Sequence, residues 1–163
     1  MSNRQCLSCG TEHAMHHFQD RSLDVNYKQF SRPVHLLAGW ECRVCGEIIF
    51  DSGTDSAERY VDAGDQLLED VLGLIGTEMK RIRRKLHLTQ RSAVKWLSGG
   101  GHNAFSRYER GELAPPQPLF TLMRLLDRHP DLLEEIQALH ADDGLKQLLE
   151  TRSGNLFWPD EPR

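Results

Sequence analysis

Apolar residues first appear in short alternating runs. Val25-Asn26-Tyr27-Lys28-Gln29-Phe30, Val34-His35-Leu36-Leu37 and Glu47-Ile48-Ile49-Phe50 read as three short strands. A turn-rich joint, Asp51-Ser52-Gly53-Thr54-Asp55-Ser56, follows, and beyond it the period becomes helical. Tyr60, Val61, Leu67, Leu68, Val71 and Leu74 mark an acidic helix over 57–74, with Ser56 as its N-cap and Gly73 and Gly76 loosening its end. Next comes a basic helix over 77–86, with Met79, Ile82 and Leu86 facing inward. Thr89 caps another helix running to about residue 97, with Ala93, Val94 and Leu97 inward. Gly99-Gly100-Gly101 makes a sharp turn into a compact helix over 103–109, which Gly111 ends. Pro115, Pro116 and Pro118 open a helix through Leu119, Leu122, Leu125 and Leu126, and Leu132, Leu133, Ile136 and Leu139 form one more. Leu145, Leu148 and Leu149 mark a further helix in the tail, ahead of Leu156-Phe157-Trp158.

The pattern predicts an α+β chain. A small N-terminal domain with short strands occupies 1–53, an acidic linker helix 54–76, an all-α five-helix domain 77–140, and an extension 141–163. Two helices joined by a glycine turn, behind a basic helix, have the layout of a helix-turn-helix.

At 163 residues, with 39% hydrophobic and 27% charged, the chain has room for one ordinary domain or two small ones. It has no apolar run approaching the ~20 residues of a membrane span. Met1-Ser2-Asn3-Arg4-Gln5-Cys6 lacks the apolar region of a secretory signal, so a cytoplasmic protein is expected, without a membrane partner.

The net charge of −4 is unevenly spread. Over 79–110, nine basic residues face one acid, Glu109, a local charge of +8 against −12 for the other 131 residues. Phosphates respond to the near face of a protein, within a Debye length of ~8 Å, more than to its total charge. The local excess therefore points to nucleic acid.

All four cysteines lie in Cys6-Leu7-Ser8-Cys9-Gly10 and Cys42-Arg43-Val44-Cys45-Gly46, two C-x-x-C pairs 32 residues apart. Each pair makes a knuckle that turns both sulfurs to one side, and the following glycine supplies the left-handed backbone that such a turn needs. The reading is one structural zinc per chain held by Cys6, Cys9, Cys42 and Cys45, with iron in a rubredoxin-like site as the alternative. Disulfides do not suit the cytosol, and a lone redox dithiol does not explain two matched copies. Four thiolates leave no open position for a substrate, so the metal is not catalytic. His13, His16 and His17 cluster after the first knuckle. They read as a polar loop or short strand rather than a second metal site. A core from ~50 residues is insecure alone, and the metal supplies much of the folding free energy.

In the compact helix, Asn103 and Arg107 are four apart and share a face. Asn can bond an adenine edge in two places and Arg a guanine edge. Asn103 also reads as a plain helix cap, and Arg107 as a solvated charge or a partner of the region around Glu109. Ser106 and Arg110 flank that face, Gln90 can reach a phosphate, and Arg84 adds to the basic field. Ala104, Phe105 and Tyr108 pack inward or along the backbone, and Trp96 reads as core. There is no Ser/His/Asp set, H-E-x-x-H or glycine-rich phosphate loop, so an enzyme is not expected.

Arg84-Lys85-Leu86-His87-Leu88-Thr89-Gln90, then Gly99-Gly100-Gly101-His102-Asn103-Ala104-Phe105-Ser106-Arg107-Tyr108-Glu109-Arg110-Gly111, closely resemble the MqsA (YgiT-type) antitoxins. The likeness continues through Leu125-Leu126-Asp127-Arg128-His129-Pro130-Asp131-Leu132-Leu133 and covers roughly residues 6–136. It implies a four-cysteine zinc domain that binds and blocks a ribonuclease toxin of unspecified family. An Xre-type helix-turn-helix domain would dimerise and repress its own operon at a palindromic double-stranded operator. By position, Asn103 and Arg107 match the family's base-reading pair and the four cysteines its zinc ligands. The tail from residue 137 runs past the family's usual end, and the acidic helix replaces a looser linker. The alternative is a stand-alone zinc-containing Xre-type regulator without a toxin.

Overall fold

The computed structural model describes residues 4–99, 101 and 103–141. The architecture is α+β, a three-stranded antiparallel sheet followed by five helices. The chain divides between Leu74 and Ile75 into two compact units.

In the first unit, β1 (Met15–Tyr27) and β2 (Phe30–Cys42) form a hairpin, and β3 (Ile48–Phe50) adds to the far side of β2. Both hairpin strands are 13 residues long, well beyond the short strands that alternation predicts. The run 25–30 is not one strand: Tyr27 pairs with Phe30 across a two-residue turn in which Lys28 takes φ +54°. The register shifts between Phe18 and Leu23, where Asp20 has φ +52°, and Leu36 on β2 has φ +57°. Bulges break the period-2 pattern from which strands are read, which is why the hairpin's outer half escapes the alternation. Leu36 is accordingly exposed while Leu37 is fully buried. Val25, Val34 and Leu37 are buried within the unit, as are Leu67 and Val71 of the following helix.

α1 (Ser56–Lys85) is one helix of 30 residues, where the sequence suggests two with a break near Gly73 and Gly76. Leu67, Val71, Ile75, Met79, Ile82 and Leu86 are all buried, a stripe at helical spacing that runs straight past both glycines. Ser56 does not use its hydroxyl as a cap: the buried Oγ accepts the Ala38 N–H at 2.9 Å, and Thr54 Oγ1 takes the Ser56 N–H at 3.3 Å. Arg59 Nη2 donates to His35 O at 2.8 Å, and Tyr60 Oη to Asp24 O at 3.1 Å.

In the second unit, α2 (Gln90–Ala93) is a single turn with Thr89 Oγ1 accepting the Ser92 N–H at 3.1 Å, the cap the sequence predicts. The chain continues as a π-helical turn, Val94–Ser98, and Gly99 ends it at φ +59°. α3 (Ala104–Glu109) buries Phe105 and Tyr108. α4 (Gln117–Arg128) follows the prolines and buries Leu119, Met123 and Leu126. Met123, which the leucine pattern passes over, is fully buried, whereas Leu125 is 45% exposed. α5 (Leu132–Ala141) completes the unit. Trp96 is not core: it is only half-buried, edge-on to His140 and capped by the Lys95 ammonium 4.0 Å from its ring centre. The helix expected around Leu145–Leu149 and the apolar Leu156-Phe157-Trp158 lie outside the described residues. Among the described residues no helix is long and apolar enough to cross a membrane.

Gly76 is a point of close approach. A Cβ there would sit 2.6 Å from Tyr108 O and 2.9 Å from Glu109 O, so α1 and α3 meet backbone to backbone. Gly73, one turn earlier, has nothing within 4 Å of such a Cβ among the described residues. The two glycines should therefore respond oppositely to alanine. Gly73→Ala gains the helix propensity of about 0.5–1 kcal/mol. Gly76→Ala loses about 1–3 kcal/mol through overpacking in spite of that gain. Chemical denaturation of the two variants checks the opposite signs.

Candidate metal centre and nucleic-acid interface

The hairpin register brings the two knuckles together. Met15 pairs with Cys42, and Arg43 N–H donates to Ala14 O at 3.0 Å, so the chain entering β1 lies beside the chain leaving β2. The knuckles are built alike. Gly10 N–H donates to Cys6 O and Gly46 N–H to Cys42 O, each at 2.9 Å, with the glycines at φ +74° and +75°. Cys6 and Cys42 are buried with Ala14 and Met15, and Trp40 and Ile49 pack against them; Cys9 and Cys45 are exposed.

All four Sγ atoms lie within 4.8 Å of one another, and Cys6–Cys45 and Cys9–Cys42 are both 3.7 Å apart. A tetrahedron with metal–sulfur bonds of ~2.3 Å has edges of about 3.8 Å, so the sulfurs are already spaced for an ion at their centre. They are far too distant for a disulfide, which needs ~2.05 Å. Thr11 holds the Cys9 thiol down to about 6 through its hydroxyl and its backbone. At Cys45 the Glu47 backbone favours the thiolate, but desolvation and the three neighbouring sulfurs together push it up to about 12. Within the cluster the Cys9 thiol is therefore drawn down and the Cys45 thiol pushed up.

The histidines that follow do not converge. His16 and His17 are on β1 and His13 sits in a turn at φ +57°. His17 Nε2 lies 2.7 Å from Asp51 Oδ2 and edge-on to Trp40. Among the described residues, the four cysteines are the one cluster of three or more His, Cys, Asp or Glu groups arranged to hold a metal ion.

The basic window is partly neutralised from within. Its one acid, Glu109, has only 4% of its side chain exposed and is gripped by Arg83, itself 12% exposed. Gln90 Nε2 donates to the same carboxylate at 2.7 Å. Burial alone would raise the Glu109 carboxyl, and the bonds from Arg83 and Gln90 outweigh it and hold it below its usual range. This network ties α1, α2 and α3 together and was not anticipated from sequence. The signal was a lone acid in a run of nine cations. Asp127 lies 2.6 Å from Arg81 and 2.8 Å from Lys85, which hold it far below the usual carboxylate range. Among the described residues, Lys80, Arg84, Arg91 and Lys95 are left without an ion pair.

The face around α3 is exposed. Asn103 stands at the helix start with φ −97° and ψ 1°, and its side chain makes no capping bond. The plain helix-cap reading therefore leaves its amide unexplained. Arg107 is 52% and Arg110 56% exposed. Arg110 Nη1 donates to Ser106 Oγ at 2.5 Å. Glu109 is turned inward, so the acid near Arg107 is Glu112 instead, at 3.6 Å. Gln90, expected to reach a phosphate, gives one of its two amide N–H groups to Glu109; Arg84 is exposed on α1. Asn103, Ser106, Arg107 and Arg110 thus share one surface, Arg84 is also exposed, and Gln90 is half-buried with one N–H on Glu109.

Residues 4–137 match the family described as "Antitoxin component of bacterial toxin-antitoxin system, MqsA". The chain is also similar to Antitoxin MqsA of Escherichia coli (strain K12), at 51% identity over 57 residues, which are 35% of this chain and 43% of that protein. The aligned stretch thus spans under half the length of the curated relative. With far more than half of its length inside the family match, the chain belongs to the MqsA family, the antitoxin components of bacterial toxin–antitoxin systems.

Proposed function

We propose that the protein is an antitoxin that also represses its own operon. In this reading the first unit closes around one structural zinc ion and binds a ribonuclease toxin. The second unit reads a palindromic operator as a homodimer in the cytoplasm. The observation that carries the DNA half is the exposed face of Asn103, Ser106, Arg107 and Arg110, set on the helix behind a glycine turn. A six-residue helix reads few base pairs, and two-fold pairing of chains doubles the site by setting two such helices about one DNA turn apart. Lys80, Arg84, Arg91 and Lys95 supply cations for phosphates, and counterion release makes the affinity fall with salt.

Zinc suits the four sulfurs because it favours closed tetrahedral thiolate coordination. The ion stabilises a unit whose core holds few large side chains, and it leaves no position open for catalysis. The toxin partner follows from the family. Co-expression of the tagged chain with its genomic neighbours, followed by mass spectrometry of what co-purifies, tests it. A stoichiometric partner that arrests growth when expressed alone supports the antitoxin; tight DNA binding with no partner supports a stand-alone regulator.

Three outcomes are expected. Cys42→Ser should lose the metal and unfold the first unit, seen by metal analysis and circular dichroism, with DNA affinity essentially unchanged. Desolvation and the neighbouring sulfurs push the Cys45 thiol up, and zinc takes thiolates, so binding at neutral pH should displace protons from the sulfurs. Zinc affinity should then rise with pH, and calorimetry in buffers of different ionisation enthalpy should register proton release. Arg107→Ala should weaken operator binding by about 1–3 kcal/mol per half-site and relax selectivity at one base position in each. An unchanged operator titration removes Arg107 from the base-reading set.

A further inference from the structure

The exposed face around α3 carries an acid of its own. Gly111, at φ +71°, and Glu112 close the helix with two backbone bonds: Gly111 N–H to Tyr108 O at 3.1 Å and Glu112 N–H to Arg107 O at 3.0 Å. This is a Schellman ending, and it turns the residue after the glycine back over the last helical turn. Glu112 is thereby delivered to the two arginines. Its Oε1 lies 2.6 Å from Arg110 Nε and its Oε2 3.6 Å from Arg107 Nε. Arg110 places a second donor, Nη1, on Ser106 Oγ at 2.5 Å, so two of its five N–H groups are committed within the protein.

The contact geometry treats the two arginines differently. Arg107 meets the carboxylate at Nε, the nitrogen nearest its stem. Among the described residues its two terminal nitrogens have no hydrogen-bond partner. Those are a matched pair of donors for the O6 and N7 acceptors of a guanine edge. We infer that Glu112 is a specificity-determining positioning residue: its charge, 3.6 Å from Nε and without a hydrogen bond, draws Arg107 toward an orientation that leaves its terminal nitrogens for guanine. The inference rests on the reading of the second unit as a DNA-binding domain.

Two effects separate correct from incorrect DNA. An arginine biased by a neighbouring charge toward one orientation loses less freedom on meeting a base edge, an effect of at most about 2–10-fold in affinity for one side chain. A phosphate gains nothing from that orientation, because it accepts a guanidinium from many directions. A phosphate approaching Arg107 or Arg110 also meets the Glu112 carboxylate, which repels it and competes for the same cations. On the correct site Arg107 bonds the base while its Nε stays beside Glu112. On random DNA the arginine must leave the carboxylate or bring it against a phosphate.

The test uses the full chain and a duplex that it selects from a random DNA pool, compared with an unrelated duplex of equal length. Glu112→Gln keeps the size and removes the charge at a half-exposed position, and circular dichroism establishes that the fold is retained. The expected result is a 2–10-fold fall in the ratio of selected to unrelated affinity. The penalty for replacing the guanine read by Arg107 should shrink while penalties at other positions hold. On the unrelated duplex the salt dependence should steepen by up to ~0.9 per chain, because one fewer anion opposes the phosphates. Glu112→Asp should restore part of the ratio, and in an Arg107→Ala background Glu112→Gln should leave base selectivity unchanged. Identical base penalties in wild type and Glu112→Gln overturn the inference, as does an equal loss of selectivity in the Arg107→Ala background. A wild-type chain that selects no sequence overturns the DNA-binding reading and this inference together, a result distinct from selection that ignores position 112.

Discussion

A carboxylate with 4% of its surface exposed must either pick up a proton or be surrounded by donors, and Glu109 is surrounded. Arg83 reaches it from α1 and Gln90 from α2, while Glu109 itself ends α3. Removing one partner of such a buried pair costs about 3–5 kcal/mol, because the other charge is left without compensation. The same contact region contains the backbone approach at Gly76, where a side chain of any size collides with the carbonyls of Tyr108 and Glu109. An ion pair and a missing side chain therefore fix the seat of α3 on α1. With the inner side of α3 pinned, Asn103, Ser106, Arg107 and Arg110 face outward as a consequence and need no separate cause. The local charge of the window also changes meaning. Much of it is spent on internal pairs with Glu109, Asp127 and Glu112, and Lys80, Arg84, Arg91 and Lys95 remain for long-range attraction.

The first unit meets its constraint differently. Its fully buried large side chains are few, and two of the most buried positions are the sulfurs Cys6 and Cys42. The hairpin sets the distance between knuckles, the knuckle glycines set the direction of each sulfur pair, and the ion would complete the core. At Cys45, desolvation and the three sulfurs beside it push the thiol up. A metal ion at the centre of the four sulfurs would turn that crowding of negative charge into attraction.

Much of this was legible in the sequence, and the parts that were not share a physical cause. The cysteine spacing with its trailing glycines located the four-sulfur cluster, because a knuckle is a local structure whose rules act within five residues. Thr89 as cap and Gly111 as helix end were legible for the same reason. The long hairpin was not, since the bulges near Asp20 and the left-handed Leu36 shift the alternation out of phase. The continuity of α1 was hidden because a glycine tolerated for packing looks like a glycine placed to break a helix. Gln90 and Glu109 are 19 residues apart and Arg83 and Glu109 are 26 apart, so their meeting depends on tertiary structure that no periodicity encodes. Trp96 shows the converse error, a large apolar ring assumed buried that instead stays at the surface beneath Lys95.

The contacts between the start of α1 and β2 carry a last consequence. β3 pairs with only three residues of β2, Gly39 to Glu41, and would leave the rest of that strand edge bare. Ala38 bonds through its N–H to Ser56 Oγ and through its carbonyl to Asp51 N–H, and the Arg59 guanidinium takes the carbonyl of His35. Side chains and a turn thus occupy the groups on which another strand would template itself. One serine and one arginine occupy the stretch of β2 that β3 does not reach, where strand addition would otherwise begin, and the margins of the sheet are the outer edges of β1 and β3.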